Sequence, residues 1–128
     1  MSNVDVVKVF YDGAGAGDLD RALSVVADDC PWTEAAGFPY AGTYYGPAGV
    51  RDNVFGNLMA DWDGFGLELD EVVDGGDTVV GIGTYFGTCK ETGKAMRARV
   101  VHVFRVDGGK IRAFEQFTDT FKVREAMA

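Results

Sequence analysis

The second half of the chain reads as strand-like runs separated by glycine turns, and this pattern restricts the fold more than any other feature. Between residues 65 and 120, turn signals occur as DGG at 74–76, ETG at 91–93 and DGG at 107–109. Each lies between runs of β-branched and aromatic residues, as hairpin loops do. The sequence therefore predicts four long antiparallel strands that follow one another as a meander.

The residues before this meander predict three helices and one short strand. Apolar residues recur at helical spacing over about 3–15. Asp18 is the expected N-cap of a short second helix, and Pro47 marks the first turn of a third. Between them, residues 30–35 predict a strand that leads into an irregular hairpin, and 121–128 suits a short final helix.

Helices followed by an antiparallel meander indicate an α+β fold, in a single domain over 1–128. We expect a curved antiparallel sheet wrapped around three N-terminal helices, forming a cone with an internal apolar cavity. The gap between such a sheet and its helices is a natural small-molecule pocket.

Charge and hydropathy argue against several classes of partner. The net charge is −8 at pH 7, which disfavours nucleic acid and anionic membrane surfaces. No run approaches the roughly 20 apolar residues of a membrane span, and Asp5 and Lys8 interrupt the first apolar stretch, so we expect no signal peptide. Cys30 and Cys89 match no metal or redox spacing and are interpreted as reduced core residues, with a disulfide as the alternative. These observations predict a cytoplasmic protein with no metal and no cofactor.

The only histidine, His102, lies in the strand-like run 99–106. Strand alternation places it with Val100 and Phe104 on one face, and the opposite face carries three arginines, Arg97, Arg99 and Arg105. Because arginines favour solvent or a partner subunit, His102 is predicted to face the cavity. The alternative interpretation is a hydrogen-bonded core histidine.

Glu34 shares strand parity with Trp32, which predicts that both side chains point inward. A carboxylate beside a tryptophan is poorly solvated there. Desolvation raises its pKa and suits it to carry a proton near neutral pH. The alternative is an exposed glutamate near the mouth of the fold.

The predicted third helix and last strand supply further candidates for the pocket wall. The apolar stripe of the helix includes Phe55, Met59 and Trp62, although such a stripe also suits ordinary core packing. Gln116 and Thr118 share a parity on the last strand, where they offer polar contacts or lie on an exposed face. The predicted ligand-binding set is Trp32, Phe55, Met59, Trp62, Phe104, Gln116 and Thr118.

Three stretches of the sequence carry a family resemblance: AGDLDRALSVVADDCPWTE, AGTYYGPAGVRDNVF and VVHVFRVDGGKIRAFEQFTDT. They resemble the nuclear transport factor two-like superfamily, and within it the SnoaL-like and ketosteroid-isomerase-like proteins. The resemblance implies a curved sheet and three helices around an apolar cavity, usually in a homodimer. It leaves the activity open, because the superfamily includes isomerases, dehydratases, polyketide cyclases, epoxide hydrolases and pure binding modules.

The resemblance also implies roles for single residues. Glu34 falls where ketosteroid isomerases carry a carboxylate base, and His102 falls where they carry a protonated aspartate as oxyanion donor. Their first-helix tyrosine corresponds to Phe10, or to Tyr11 after a shift of one residue. Asp119 lies in a TDT segment similar to the SnoaL-like ending, where an acidic residue can serve the cavity. The predicted catalytic set is Glu34, His102 and Asp119.

Three hypotheses about function follow. The first is an enzyme that binds an apolar small molecule and moves a proton without a cofactor, as in isomerisation, dehydration or aldol-type cyclisation. Glu34 and His102 then act as proton carrier and oxyanion partner, in either order. The second is a binding module of the same fold, and the third is a dimerisation unit whose own aromatics fill the cavity. We expect a homodimer through the outer sheet face, where Val101 and Val103 need cover.

Overall fold

A six-stranded sheet forms the framework of the structure, which is a computed structural model describing residues 1–128. Its strands are β1 (Pro31–Glu34), β2 (Gly42–Tyr45), β3 (Trp62–Gly75), β4 (Thr78–Cys89), β5 (Ala95–Asp107) and β6 (Lys110–Thr118). They lie in the order β2-β1-β6-β5-β4-β3. The antiparallel pairs β3–β4, β4–β5 and β5–β6 are the predicted meander.

The first strand departs from the purely antiparallel sheet that the sequence predicts. β1 pairs antiparallel with β2 but parallel with β6, where Trp32 lies opposite Phe114. A parallel pair needs a long connection between its strands, and most of the chain lies between β1 and β6. The curved sheet is therefore mixed, and the α+β fold class is confirmed.

Helices precede, interrupt and follow the sheet. They are α1 (Asn3–Gly15), α2 (Leu19–Leu23), α3 (Gly46–Val50), α4 (Gly56–Asp61) and α5 (Thr120–Met127). Ser2 and Asp5 form a capping box at the start of α1, and Asp18 caps α2 as predicted. α1 packs against all four strands of the meander. None of these helices has the length and apolar character needed to cross a membrane.

A π-helical turn at Arg51–Phe55 joins α3 to α4, so the predicted third helix is one composite rod. A π turn takes more residues than an α turn, which keeps a row spaced by four residues on one face. Val50, Val54 and Leu58 form this row and are buried, whereas Met59 is 64% exposed. The structure thus places Met59 on the outer side of the helix, so the prediction that it lines the pocket wall is wrong.

Strand β5 alternates as predicted. Val100, His102 and Phe104 are buried, whereas Val101 and Val103 are only partly buried on the opposite face. The three arginines of that face, Arg97, Arg99 and Arg105, are exposed. The inner face of β5 therefore brings His102 into the interior between sheet and helices.

Candidate functional site

A cavity of about 250 Å³ lies between the inner face of the sheet and the helical segments. Nineteen residues line it, thirteen of them hydrophobic, and none is a lysine or arginine. The aromatic part of the wall consists of Phe10, Tyr11, Trp32, Phe38, Phe55, Phe65, Tyr85 and Phe114. A concave, mostly apolar wall with a few polar groups is typical of small-molecule sites.

Glu34 is the buried carboxyl group of this wall. Alternation along β1 buries Trp32 and Glu34 and leaves Thr33 half-buried. The Glu34 side chain is 4% exposed, and its Oε2 atom has no hydrogen-bond partner. Burial raises the pKa of Glu34 to about 8. The carboxyl group therefore keeps its proton at neutral pH and can exchange it with a ligand, since no protein group competes for Oε2.

His102 lines the same cavity, but neighbouring tyrosines occupy both of its ring nitrogens. The Tyr11 hydroxyl lies 2.8 Å from Nδ1, and the Tyr85 hydroxyl lies 2.6 Å from Nε2. Burial lowers the pKa of His102 to about 3, so the imidazole is neutral. No hydrogen bond joins His102 to Glu34. The imidazole is thus held between two hydroxyl groups, with neither nitrogen free to touch a ligand.

Gln116 extends this chain of hydrogen bonds back to the main chain of β1. Its Nε2 donates to the Tyr85 hydroxyl at 2.9 Å, and its Oε1 accepts from the backbone N–H of Ala35 at 3.1 Å. Register pairing of β5 with β6 sets Gln116 directly opposite His102. The result is a relay of four side chains, Gln116, Tyr85, His102 and Tyr11, in that order.

The absence of a side chain at Gly81 allows Tyr11 to reach the relay. Gly81 pairs with His102 across β4 and β5, and a Cβ atom at this position would collide with the Tyr11 hydroxyl. Helix α1 therefore approaches β4 closely enough for Tyr11 to bond to the histidine of the neighbouring strand. Any larger residue at 81 separates these two groups.

Two predicted site residues near the end of β6 lie outside the cavity wall. Asp119 is exposed and caps α5, where its carboxylate accepts from the backbone N–H of Lys122 at 3.3 Å. Thr118 donates from its hydroxyl to the carbonyl of Arg99 at 2.8 Å. Both side chains satisfy local main-chain groups at the point where the strand turns into the helix. The structure therefore corrects their predicted placement.

Two predicted aromatic wall residues are buried but do not reach the cavity. Trp62 donates from Nε1 to the Tyr40 hydroxyl at 3.1 Å, and Tyr40 in turn donates to Asp61 at 2.6 Å. Phe104 is fully buried and packs edge-on against Tyr11. Phe104 has the predicted inward face but forms a second layer, because Tyr11 covers it. Of the predicted set, Glu34, His102, Trp32, Phe55 and Gln116 line the cavity.

The sequence interpretation missed Tyr85 and selected Phe10 before Tyr11. A signal for Tyr85 was present in β4, where alternation buries Val79 and Tyr85 on one face. The Tyr11 contact joins residues far apart in the chain and depends on the space at Gly81.

The structure contains neither a cluster of metal-binding side chains nor a disulfide bond. No group of three or more His, Cys, Asp or Glu side chains is arranged to hold a metal ion. Cys30 and Cys89 are both buried and form no disulfide.

Comparison of the fold with solved structures places the protein in a defined structural class. An NTF2-like protein from Burkholderia thailandensis E264 is 44% identical, with a TM-score of 0.98 over 100% of this chain and 98% of that one. An NTF2-like protein of unknown function from Burkholderia pseudomallei K96243 is 26% identical, with a TM-score of 0.91 over 100% and 99% of the two chains. TerC, co-crystallised with polyporic acid, is 26% identical, with a TM-score of 0.88 over 98% and 97%.

The fold therefore defines an NTF2-like α+β cone protein. Residues 7–114 match the SnoaL-like domain family. Because this match spans most of the sequence, the chain belongs to the SnoaL-like family. A comparison with curated proteins gave no match.

Proposed function

We propose that the protein is an enzyme that moves a proton on an apolar small molecule without a cofactor, as isomerases, dehydratases and polyketide cyclases do. One observation carries the proposal. Glu34 faces an aromatic cavity, is 4% exposed, and has a buried oxygen with no hydrogen-bond partner. An unpaired buried carboxyl group costs folding free energy, and such groups cluster at functional sites.

Glu34 is the proton carrier of this proposal. With a pKa of about 8, the carboxyl group has both its protonated and its ionised form accessible near neutral pH. The ionised form takes a proton from the carbon next to a ligand carbonyl, and the electron pair of that C–H bond moves onto the carbonyl oxygen as an enolate. In a ligand with a C=C bond next to the acidic carbon, the protonated form returns the proton to the far carbon of that bond. The electron pair on the oxygen re-forms the C=O bond, so the C=C bond moves and the isomerisation is complete.

Tyr11 is the hydrogen-bond donor to the enolate oxygen. The sequence interpretation left this role to either His102 or Glu34, but Tyr11 and Tyr85 occupy both imidazole nitrogens. The Tyr11 side chain lines the cavity and is held by Nδ1 of His102 at 2.8 Å. Donors aimed at the atom where charge develops lower the barrier most in a site that excludes water. In this proposal His102 positions Tyr11 and does not touch the ligand.

The related structures support a small organic ligand. TerC, which is 26% identical over nearly the whole chain, was co-crystallised with polyporic acid. The cavity of this protein, at about 250 Å³, lies just below the roughly 300–1,000 Å³ of drug-sized ligand pockets. Its volume therefore suits a ligand of one or two rings.

A second candidate function is ligand binding without catalysis. The observation in its favour is that the hydrogen bonds of His102 are complete within the protein, so the polar relay stabilises the fold without any ligand. The two candidates differ only in whether Glu34 exchanges its proton with the bound molecule.

Solvent-deuterium exchange separates the two candidates. Enones and polyketide-like ketones are incubated with the protein in D₂O, and exchange of carbon-bound protons is followed by NMR. We expect catalysed exchange for at least one ketone, and Glu34→Gln to slow it by about 10²–10⁴-fold. Glu115→Gln, a change at an exposed glutamate on β6, is the control that keeps the rate. Binding without exchange would leave the binding module as the function, and full exchange in Glu34→Gln would remove Glu34 from the chemistry.

A further inference from the structure

We propose that Gln116 is a positioning residue that fixes the direction of the relay, which means which group donates and which accepts in each of its hydrogen bonds. As a result, Tyr11 always presents its O–H to the ligand. The cavity then takes neutral ring compounds that offer a hydrogen-bond acceptor, such as a ketone or quinone oxygen, at Tyr11. The chemical role of Tyr11 rests on the proposed function. The direction of the relay does not, and it is measurable in the protein without a substrate.

The direction of the relay is set by a backbone N–H group, which can donate a hydrogen bond but cannot accept one. The backbone N–H of Ala35 donates and cannot accept, so the Gln116 atom 3.1 Å away is the carbonyl oxygen Oε1. The amide nitrogen Nε2 consequently faces Tyr85, whose hydroxyl oxygen lies 2.9 Å from it. Because Nε2 carries only donors, Tyr85 must accept this hydrogen bond.

The next step fixes the tautomer of the histidine. Tyr85 is buried, and besides Gln116 its hydroxyl has one hydrogen-bond partner, Nε2 of His102 at 2.6 Å. The Tyr85 proton must therefore point at Nε2, because the reverse arrangement leaves a buried O–H without an acceptor. Nε2 is then unprotonated, and the single proton of the neutral imidazole sits on Nδ1.

The relay ends at the cavity with one unused proton. Nδ1–H of His102 donates to the Tyr11 oxygen at 2.8 Å, and the Tyr11 proton has no other partner in the relay. Tyr11 lines the cavity, so this proton is available to a ligand. The opposite relay direction would turn Tyr11 into an acceptor and favour ligands that donate. The amide of Gln116 thereby selects the polarity of the atom that a ligand must present.

The charge of the cavity wall also favours a neutral ligand. The cavity wall contains no lysine or arginine, and its histidine and the buried carboxyl group of Glu34 are uncharged near neutral pH. The other carboxyl group of the wall, Asp12, is exposed to solvent. The faces of aromatic rings are electron-rich, so they do not compensate a buried anion. A neutral acceptor on a flat ring system is therefore the ligand chemistry that the wall satisfies.

Nitrogen-15 NMR of the imidazole tests the relay directly, because His102 is the only histidine in the chain. Two-bond nitrogen–proton correlations distinguish the two tautomers, and we expect the Nδ1–H form in the native protein. Gln116→Met removes the amide, and we expect a mixture of both forms. Glu115→Gln, on the opposite face of the same strand, should keep the native pattern. An Nε2–H tautomer in the native protein overturns the proposal even if Gln116→Met does not fold.

A matched ligand pair tests the selected polarity. 2-Acetylnaphthalene and 2-isopropenylnaphthalene have nearly the same shape, but only the ketone accepts a hydrogen bond. We expect the native protein to bind the ketone about three- to tenfold more tightly, and Tyr11→Phe to abolish this preference. Equal affinity in the native protein contradicts the ligand class. A correct tautomer without catalysed proton exchange would instead keep this inference and remove the proposed enzyme activity.

Discussion

Burial shifts the pKa values of Glu34 and His102 in opposite directions, although both side chains lie in the same cavity wall. Desolvation disfavours the charged form of each group. It raises the pKa of the Glu34 carboxyl group to about 8 and lowers the pKa of the His102 imidazole to about 3. Both groups are therefore neutral near pH 6, and the interior carries no charge from either of them.

Replacement of Glu34 by glutamine should change how stability depends on pH. Folded Glu34 holds its proton up to about pH 8, whereas the unfolded chain releases it near 4.5. The folded state thus binds one more proton between these values, and stability falls as pH rises through this window, by at most about 1.4 kcal/mol per pH unit. Glu34→Gln removes this loss, so the variant gains stability relative to the native protein from pH 5 to pH 8.

Urea unfolding of both proteins at pH 5 and pH 8 measures this difference. His102 contributes the opposite slope, between about pH 3 and 6.5, but it does so in both proteins and cancels in the comparison. Identical pH dependence of the two unfolding free energies would mean that the Glu34 carboxyl group is solvated and not enclosed.

The two tryptophans of the chain provide an internal test of the cavity wall. Trp32 lines the cavity, whereas Trp62 is buried elsewhere against Tyr40. A carbonyl quencher such as 2-cyclohexen-1-one, bound in the cavity, should reduce the fluorescence of Trp32 and spare Trp62. Trp62→Phe should keep the saturable quenching and Trp32→Phe should lose it. Quenching that survives in Trp32→Phe places the ligand outside the proposed cavity.

At the scale of secondary-structure elements, the sequence predicted the features that depend on local patterns. Glycine turns define the meander, because turn chemistry acts within a few residues. Strand alternation is also a local pattern, and it correctly predicted that Glu34, His102 and Gln116 face inward. The parallel pairing of β1 with β6 was not predictable in this way, since it joins strands separated by most of the chain.

The misplaced residues show where local patterns stop being informative. Met59 faces outward because Leu58, the residue before it, takes the inward position, and one residue along a helix turns by about 100°. Phe104 has the correct parity but is covered by Tyr11, a contact between distant elements that exists only because Gly81 lacks a side chain. The site was therefore predictable as a set of inward-facing strand positions, and its hydrogen-bonded order was not.

At the scale of the whole molecule, the outer face of the sheet carries an apolar strip that the fold leaves uncovered. Val101 lies between Ile82 and Phe117 in the cross-strand register, and the Phe117 side chain is 50% exposed. Val103 pairs with Val80 beside them. Beside this strip, ion pairs of Arg97 with Glu68, at 2.8 Å, and of Arg99 with Asp70, at 2.7 Å, join arginines of β5 to acidic residues of β3.

We predict that a second copy of the chain covers this strip in a homodimer. An apolar centre with a charged rim is the usual composition of an interface between subunits, and contiguous exposed apolar surface is rare on monomers. Light scattering after size exclusion, at micromolar concentration, should give twice the monomer mass. Val101→Lys places a charge at the centre of the strip and should yield monomers that keep the fold by circular dichroism. Met59→Lys, at an exposed apolar residue on α4, should leave the dimer intact. A native protein that is monomeric in this measurement would show that the strip has no such partner.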